Sequence, residues 1–516
     1  MTADQDGAAA MDLLSLHAAR HPDKAAVIDD RPGEPVRSWT FAELEGRANQ
    51  LGHLLLSAGA GPATKVIWCG QNSGPLVLAT HAVRKIGAVS VPLNYRLSAD
   101  EAAYVIDNSD AEIVYVDAEY EGLIAQVRDR TPKVREVLVF DGDGALEARI
   151  DAQPSGPPPV GSVGAGQSMI YTSGTTGKPK GAVRSARLDP SSAAGLLALI
   201  GYVPEDVYLT TGPLYHSGPG GFAAVAHALG NTVVVQHKFD PEDWLRLVEA
   251  YRVTTTFTAP TPIRMVCSLP EEVKQRYDRS SMRRMIANAA PWTLNLKKMY
   301  LADFPPDSLW EVYGSTELGV DTVLGPQDHL RKPGSCGRPA PGIEIKLFDA
   351  DGAEVTEAFR TGELYVRSAT TFDQYYKAEE KYRQATRGDF HTVGDIAYFD
   401  EDGYFYIADR KNDMIISGGM NIYPAEIEAA LDACPDIYEV AVFGVPDEKW
   451  GESVQAVAVP AREGVTEADV LEFAREHLAG YKVPRTVTFV PELPKTGSGK
   501  VLKRQLRDEF AARTSV

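Results

Sequence analysis

The chain has 516 residues, 44% hydrophobic and 24% charged, an ordinary globular balance at a length that suggests about three to four lobes of ~150 residues. Its 71 acidic residues outnumber 52 basic ones, for a net charge of −19. That argues against a nucleic-acid surface, which needs a clustered excess of Lys and Arg, but leaves room for a small polyanion held locally by backbone N–H groups and a cation.

In chain order, Thr40-Phe41-Ala42-Glu43 reads as a capping box, because a Thr hydroxyl and a Glu three residues on can satisfy each other's backbone donors. Leu44, Ala48, Leu51 and Leu55 then recur at helical spacing until Gly59 and Gly61. Lys65–Cys69 is predicted as a short buried strand. Ser98–Glu101 opens another helix, and Glu112–Val116 follows as a strand. Pro154–Gly166 reads as a surface loop. Asp240-Pro241 caps a helix through Ala250, and Val253–Phe257 reads as the next strand. Repeated helix–strand alternation implies parallel sheets covered by helices.

From about Gly342 the pattern changes. Gly342–Phe348, Gly362–Arg367 and Tyr404–Ile407 look like strands, with turns at Asp351-Gly352 and Asp402-Gly403. Beyond Arg410 the chain is α+β again: Pro424 suits the first turn of a helix with Ile427 and Leu431 on one face, and Thr466–Asp469 starts another. The fold class expected is α/β. A large N-terminal domain (1–410) would hold helix-covered β-sheets and a small β-barrel-like lobe (about 335–410). A mobile α+β C-terminal domain (411–516) would follow.

Cys69, Cys267, Cys336 and Cys434 lie far apart, without metal-ligand or redox spacing, and read as reduced packing thiols. The start of the chain lacks the basic and apolar runs of a signal peptide. No apolar stretch reaches the ~20 residues of a membrane span. A cytoplasmic protein with no transmembrane segment is expected, and a homodimer is compatible with it.

The strongest local signal is Tyr171-Thr172-Ser173-Gly174-Thr175-Thr176-Gly177-Lys178-Pro179-Lys180-Gly181. Three glycines let backbone N–H groups approach a ligand, three hydroxyl residues (Ser173, Thr175, Thr176) add donors, and two lysines add charge. That suits a triphosphate. A Walker A loop is excluded, since Thr172 stands where its first Gly belongs and Pro179 where its Ser/Thr belongs.

Thr172–Gly181 closely resembles the signature of the adenylate-forming (AMP-binding) superfamily, and further motifs follow in that family's order over nearly the whole chain. The resemblance is to its acyl-CoA synthetase branch. It implies a two-step reaction: a carboxylic acid and ATP give acyl-AMP and pyrophosphate, then a thiol displaces AMP. ATP, Mg²⁺ and coenzyme A are the reactants it implies. It assigns nucleotide contacts to Thr172, Ser173, Gly174, Thr175, Thr176, Gly177, Lys180, Asn288, Ala289, Ala290, Pro291, Tyr313, Gly314, Thr316, Asp395 and Arg410. Within that set Tyr313 stacks on adenine, Thr316 contacts phosphate, Asp395 accepts the ribose hydroxyls and Arg410 reaches ribose or phosphate. Glu317 of Tyr313-Gly314-Ser315-Thr316-Glu317 is the Mg²⁺ ligand, a hard oxygen suited to that ion.

Pro494-Lys495-Thr496-Gly497-Ser498-Gly499-Lys500 resembles the family's catalytic-lysine motif. Lys500 would bridge the carboxylate and the α-phosphate, where a cation stabilises two approaching anions; Lys495 reads as plain surface charge. His216, in Pro213–Pro219, matches the ring beside the substrate carboxylate, orienting or gating rather than transferring protons. Glu317 and His216 join Lys500 as catalytic candidates. The acyl pocket is assigned to His216, Gly220, Gly221, Phe222, Ala259, Asn288, Gly314 and Val320. Gly218, Gly220 and Gly221 are expected to leave room there. Asn288, in place of the family's commoner Gly, would narrow or polarise it. Gly418 and Gly419 would line the pantetheine tunnel, and Asn412, where the family often has Asp or Lys, would be the hinge.

The function expected is an acid–CoA ligase for a medium- or long-chain or bulky alicyclic acid. Three alternatives stand beside it: loading of a carrier protein, an enzyme running one half-reaction, and a non-catalytic nucleotide-binding regulator. No carrier motif is expected at the C-terminal end, and the acid site implied by the resemblance lacks the Phe-Asp pair that would hold an amino group near His216. Glu317, Asp395 and Lys500 are intact, which weighs against the regulator.

Overall fold

The computed structural model describes residues 12–159, 167–172, 178–185, 190–411, 413–447, 449–495 and 500–514. The chain forms two compact units: residues 1–258, 268–286 and 369–384, and residues 259–267, 287–368 and 385–516.

In the first unit, seven strands run in the order Gln374–Tyr375, Lys180–Ser185, Gln167–Thr172, Val89–Leu93, Lys65–Cys69, Ala111–Asp117 and Glu136–Phe140. The last four are mutually parallel. Lys65–Cys69 is buried from Val66 onward, as a run without alternation requires when both sheet faces are covered. A second group of strands, Ala25–Asp29, Thr232–Val235, Val207–Thr210 and Thr255–Thr258, is also parallel. The capping boxes form as the sequence predicts: Thr40 and Glu43 open helix Phe41–Ser57, and Ser98 and Glu101 open Ala99–Asn108. Both place their apolar stripe inward, with Leu44, Ala48, Leu51 and Leu55 fully buried.

Residues 369–384 fall within the span the sequence pattern assigns to the β-rich lobe. They instead pair with the first unit through Gln374↔Val183 and Tyr375↔Ala182, and Phe372 and Tyr375 bury themselves against Ala182. The pairing joins residues nearly two hundred positions apart, which local periodicity does not reveal.

In the second unit, Glu344–Phe348, Gly362–Arg367, Thr386–Arg387, Phe390–His391, Asp395–Phe399 and Phe405–Arg410 make a six-stranded antiparallel sheet. Gly352 and Gly403 take φ of +82° and +76° at the two predicted turns. A further sheet pairs Ile437–Asp447 with Gly451–Pro460 and adds Thr486–Phe489 in parallel. Helices Pro424–Leu431 and Glu467–His477 cover it, burying Ile427, Leu431, Val470 and Ala474. The four cysteines are buried and unbridged. Among the described residues no helix is long and apolar enough to cross a membrane.

Candidate active site

The phosphate-loop sequence joins two antiparallel strands, Gln167–Thr172 and Lys180–Ser185, in which Thr172 pairs with Lys180 and Tyr171 with Gly181. Ser173, Gly174, Thr175, Thr176 and Gly177 lie outside the described residues. The chain therefore leaves a strand and returns as one, whereas a Walker A loop runs on into a helix. Lys178 and Lys180 stand over the rings of Tyr104 and Tyr375, Nζ to centroid 4.8 and 5.0 Å. The Tyr104 hydroxyl donates to the Pro179 carbonyl at 3.2 Å. These two tyrosines brace the base of the loop, and sequence reading missed them because each comes from a remote segment. Gly181 is a packing glycine: a Cβ there would lie 2.9 Å from Met169 Sδ.

His216 is the residue before helix Ser217–Ala228. Its Nε2 is buried and has no hydrogen-bond partner among the described residues, and its ring lies 4.4 Å from that of Tyr215. Burial first, and the charge of Arg96 second, push the imidazole down to about 4. It is thus neutral at pH 7 and a poor base. On the helix that follows it, Phe222 stacks on Phe257, centroids 5.1 Å apart.

The glycines beside His216 do not behave as the sequence suggests. A Cβ at Gly218 would meet Phe257 Cζ at 2.3 Å, and one at Gly220 the Leu214 carbonyl oxygen at 2.4 Å; only Gly221 faces open space. Two of the three let helix Ser217–Ala228 pack tightly, and do not enlarge a pocket. Gly314 is similar: a Cβ would collide with the Gly319 carbonyl oxygen across the antiparallel pair Leu309–Ser315 and Gly319–Leu324.

In the second unit Asn288 follows strand Arg284–Ala287. Its Nδ2 donates to the Val312 carbonyl and its Oδ1 accepts from the Ala289 N–H. Each end of the carboxamide makes one bond to backbone, so it ties the turn to the strand carrying Tyr313. Beside the expected narrowing or polarising of the acyl site, Asn288 thus has a structural part that its sequence position does not reveal. Ala289 takes φ of +72°, uncommon for a residue with a Cβ. Ala290, Pro291, Ala259 and Val320 also belong to this unit.

Tyr313 donates its hydroxyl to Asp395 Oδ2 at 2.5 Å. The other carboxylate oxygen lies 3.3 Å from Arg410 Nε, and Asp395 and Arg410 are direct partners across strands Asp395–Phe399 and Phe405–Arg410. Burial first, then the charge of Asp395, holds the phenol well above its ordinary range. Glu317 is 8% exposed, just beyond Thr316. Among the described residues no cluster of three or more His, Cys, Asp or Glu forms a metal cage. A single carboxylate fits Mg²⁺, which commonly takes one or two carboxylates and completes its shell with water and substrate phosphates.

Lys500 joins this group. Crowding by protein first, then the charge of Arg410, pushes its ammonium down to about 8, while Asp395 and Asp413 oppose the shift. Arg507 holds Asp413 at 2.9 Å, and Lys503 holds Glu428 at 2.8 Å. Lys495, expected as surface charge, is mostly covered and pairs with Glu439 at 2.8 Å, and its backbone bridges to Val501. Gly418 and Gly419 take φ of +57° and +79° in the two-residue turn between Ile415–Ser417 and Met420–Ile422. Left-handed values at both positions suit a type I′ hairpin, so the turn itself requires both glycines. A Cβ on Gly418 would also reach the Trp450 ring at 2.9 Å. Asn412 lies outside the described residues.

The first unit thus carries the predicted phosphate-loop sequence between two paired strands, and the second carries a Tyr313–Asp395–Arg410 cluster with Lys500 in its electrostatic reach. The family model for AMP-binding enzymes matches residues 14–376, and that for their C-terminal domain matches 426–500. The chain belongs to the AMP-binding enzyme family. It is an ATP-dependent, AMP-forming acid–CoA ligase that works through an acyl adenylate, with ATP, Mg²⁺ and CoA as reactants.

The chain is 34% identical to an indoleacetate–CoA ligase of Aromatoleum aromaticum, over 97% of this chain and 98% of that protein. It is 32% identical to the long-chain-fatty-acid–CoA ligase FadD13 of Mycobacterium tuberculosis, with the same coverage. The crystal structure of the anthranilate CoA ligase AuaEII with anthranoyl-AMP superposes with a TM-score of 0.87 at 26% identity, covering 98% of each chain.

Proposed function

We propose that this ligase activates an apolar carboxylic acid, medium- or long-chain aliphatic or bulky alicyclic, and performs both half-reactions. In the first, a substrate carboxylate oxygen attacks the α-phosphorus of ATP and pyrophosphate leaves. Asp395 accepts the ribose hydroxyls, exchanging its bond to the Tyr313 phenol for them. Arg410 holds the ribose or α-phosphate, Glu317 carries Mg²⁺, and the Thr172–Lys180 hairpin holds the departing phosphates. Lys500, as a cation, lies between carboxylate and α-phosphate and stabilises the charge that gathers there. His216 orients the carboxylate without taking a proton. In the second, the CoA thiolate attacks the acyl carbonyl and AMP leaves, with the turn at Gly418 and Gly419 beside the pantetheine. Residues 411–516 rotate about Asn412 between the steps.

The observation that carries the assignment of roles is the grouping of Lys500 with Arg410, Asp395 and Tyr313. An acyl group without charge is supported by the neutral, buried His216, the residue before the helix that carries Phe222 in its stack on Phe257. A flat aromatic acid is the second reading. The closed packing at Gly218 and Gly220 favours it, as do the aromatic acids named in two of the relatives.

The test incubates the protein with ATP, Mg²⁺, CoA and octanoate, palmitate, cyclohexanecarboxylate or indole-3-acetate, and measures acyl-CoA and AMP. The aliphatic and alicyclic acids should show the highest kcat/KM. A preference for indole-3-acetate selects the second reading. No acyl-CoA from any acid or from preformed adenylates would overturn the proposal. Pyrophosphate release without thioester identifies a single half-reaction, and transfer only to a phosphopantetheinylated carrier identifies carrier loading.

A further inference from the structure

Helix Pro260–Cys267 begins immediately after Ala259, and its Arg264 reaches Asp432, 168 residues away, with Nη2 to Oδ1 at 2.8 Å. Both side chains are largely buried, at 13% and 9% exposure. The same guanidinium lies 5.9 Å from the centre of the Tyr438 ring, and its Nη2 is 3.5 Å from Thr293 Oγ1. Arg264 therefore ties the helix after Ala259 to the segment that begins the C-terminal region.

Asp432 is badly placed for its own helix. It caps the C-terminus of Pro424–Leu431, where the helix dipole disfavours a negative charge. Its Oδ2 is buried without a hydrogen-bond partner among the described residues. Local structure gives no reason for a carboxylate here, and Arg264 is the cation that makes it tolerable. In the same arrangement Lys500 lies within electrostatic reach of Arg410 and Asp395.

We propose that the Arg264–Asp432 pair, backed by the Tyr438 ring, is a latch that holds the C-terminal region in the arrangement presenting Lys500 for adenylation. Arg264 is thus a positioning residue that acts through Asp432 and touches neither ATP nor acid. The proposal rests on the two-step ligase reading, in which the same region must leave this arrangement for thioester formation. Opening the latch should slow the first step and spare the second.

The test measures both half-reactions with octanoate, or with whichever panel acid the wild type uses best. Adenylation is followed by ATP–pyrophosphate exchange, and thioester formation by the reaction of CoA with preformed acyl-AMP. Arg264→Ala should slow exchange about 10-fold or more, within the usual range of coupling between two states, with thioester formation unslowed. Asp432→Asn removes a charge the helix dipole disfavours, so it should stay folded in thermal melts and show the same split. The exchanged pair Arg264→Asp/Asp432→Arg should recover most of the lost exchange. Equal slowing of both steps, no slowing of exchange in either single variant, or failure of the exchanged pair to recover would overturn the latch. A wild type that makes no acyl-CoA would instead overturn the ligase reading.

Discussion

Alkaline titration of Lys500 offers the sharpest test of its part in adenylation. Its ammonium has a midpoint pushed down to about 8. About 90% of the enzyme then carries the charge at pH 7, and about 10% at pH 9. The cation is the active form, so activity is present below the midpoint and lost as the pH rises through it. Over that interval kcat/KM for ATP should fall about tenfold. The assay is ATP–pyrophosphate exchange without CoA, so that the CoA thiol, which titrates near ~8.5, contributes nothing. Lys500→Ala should slow exchange by about 10²–10³, the usual loss when one charge-stabilising donor is removed. Lys500→Arg keeps a cation to beyond pH ~12; its rate will be lower for want of the right shape, but its profile should stay flat to pH 9. A wild-type profile that is flat to pH 9, or a limb at the same pH in Lys500→Arg, would refute the reasoning.

Three further outcomes follow from the packing and hydrogen bonds. Gly218→Ala and Gly220→Ala should each destabilise the protein by about 1–3 kcal/mol, because their Cβ atoms would press on Phe257 and on the Leu214 carbonyl, whereas Gly221→Ala, with nothing within 4 Å, should be near neutral; urea unfolding measures all three. Tyr313→Phe removes the hydroxyl bonded to Asp395 Oδ2, and should lower KM for ATP by about 3- to 10-fold; a raised KM would mean the hydroxyl assists nucleotide binding. The buried chain Arg84–His81–His227–Ala26 carbonyl needs both imidazoles neutral, since every ring nitrogen already has its one donor or acceptor part. Burial first lowers His227 from 6.5 to about 4, so its stabilising contribution is whole above pH ~6.5 and falls by up to ~1.4 kcal/mol per pH unit as the pH drops toward 4. In His227→Gln the slope of unfolding free energy against pH between 6 and 5 should shrink by about one proton, and an unchanged slope would refute this.

Much was legible in the sequence because it is local chemistry. Capping boxes at Thr40, Ser98 and Thr466, the Asp240 cap, and the glycine turns at Gly352 and Gly403 each depend on residues within four positions of one another. The motifs around Thr172, Tyr313, Asp395 and Lys500 were equally readable, as short runs that resemble those of one family. That is enough to establish an α/β enzyme of the AMP-binding family.

What glycine is for could not be read this way. Gly218 and Gly220 read as room for an acyl chain and Gly181 as backbone access to a ligand, yet each of them, and Gly314, is a point where another segment comes close. Asn288 likewise looked like a free polar group until the Val312 carbonyl was seen to take its amide. The same holds for the strand Gln374–Tyr375, for Tyr104 and Tyr375 beneath the loop lysines, and for Arg264 against Asp432. The sequence by itself determined which chemical groups this protein owns and the turns and caps they form with near neighbours. Only the tertiary structure decided which remote groups meet, because burial and pairing across a hundred residues or more depend on the packing of whole sheets and not on any local pattern.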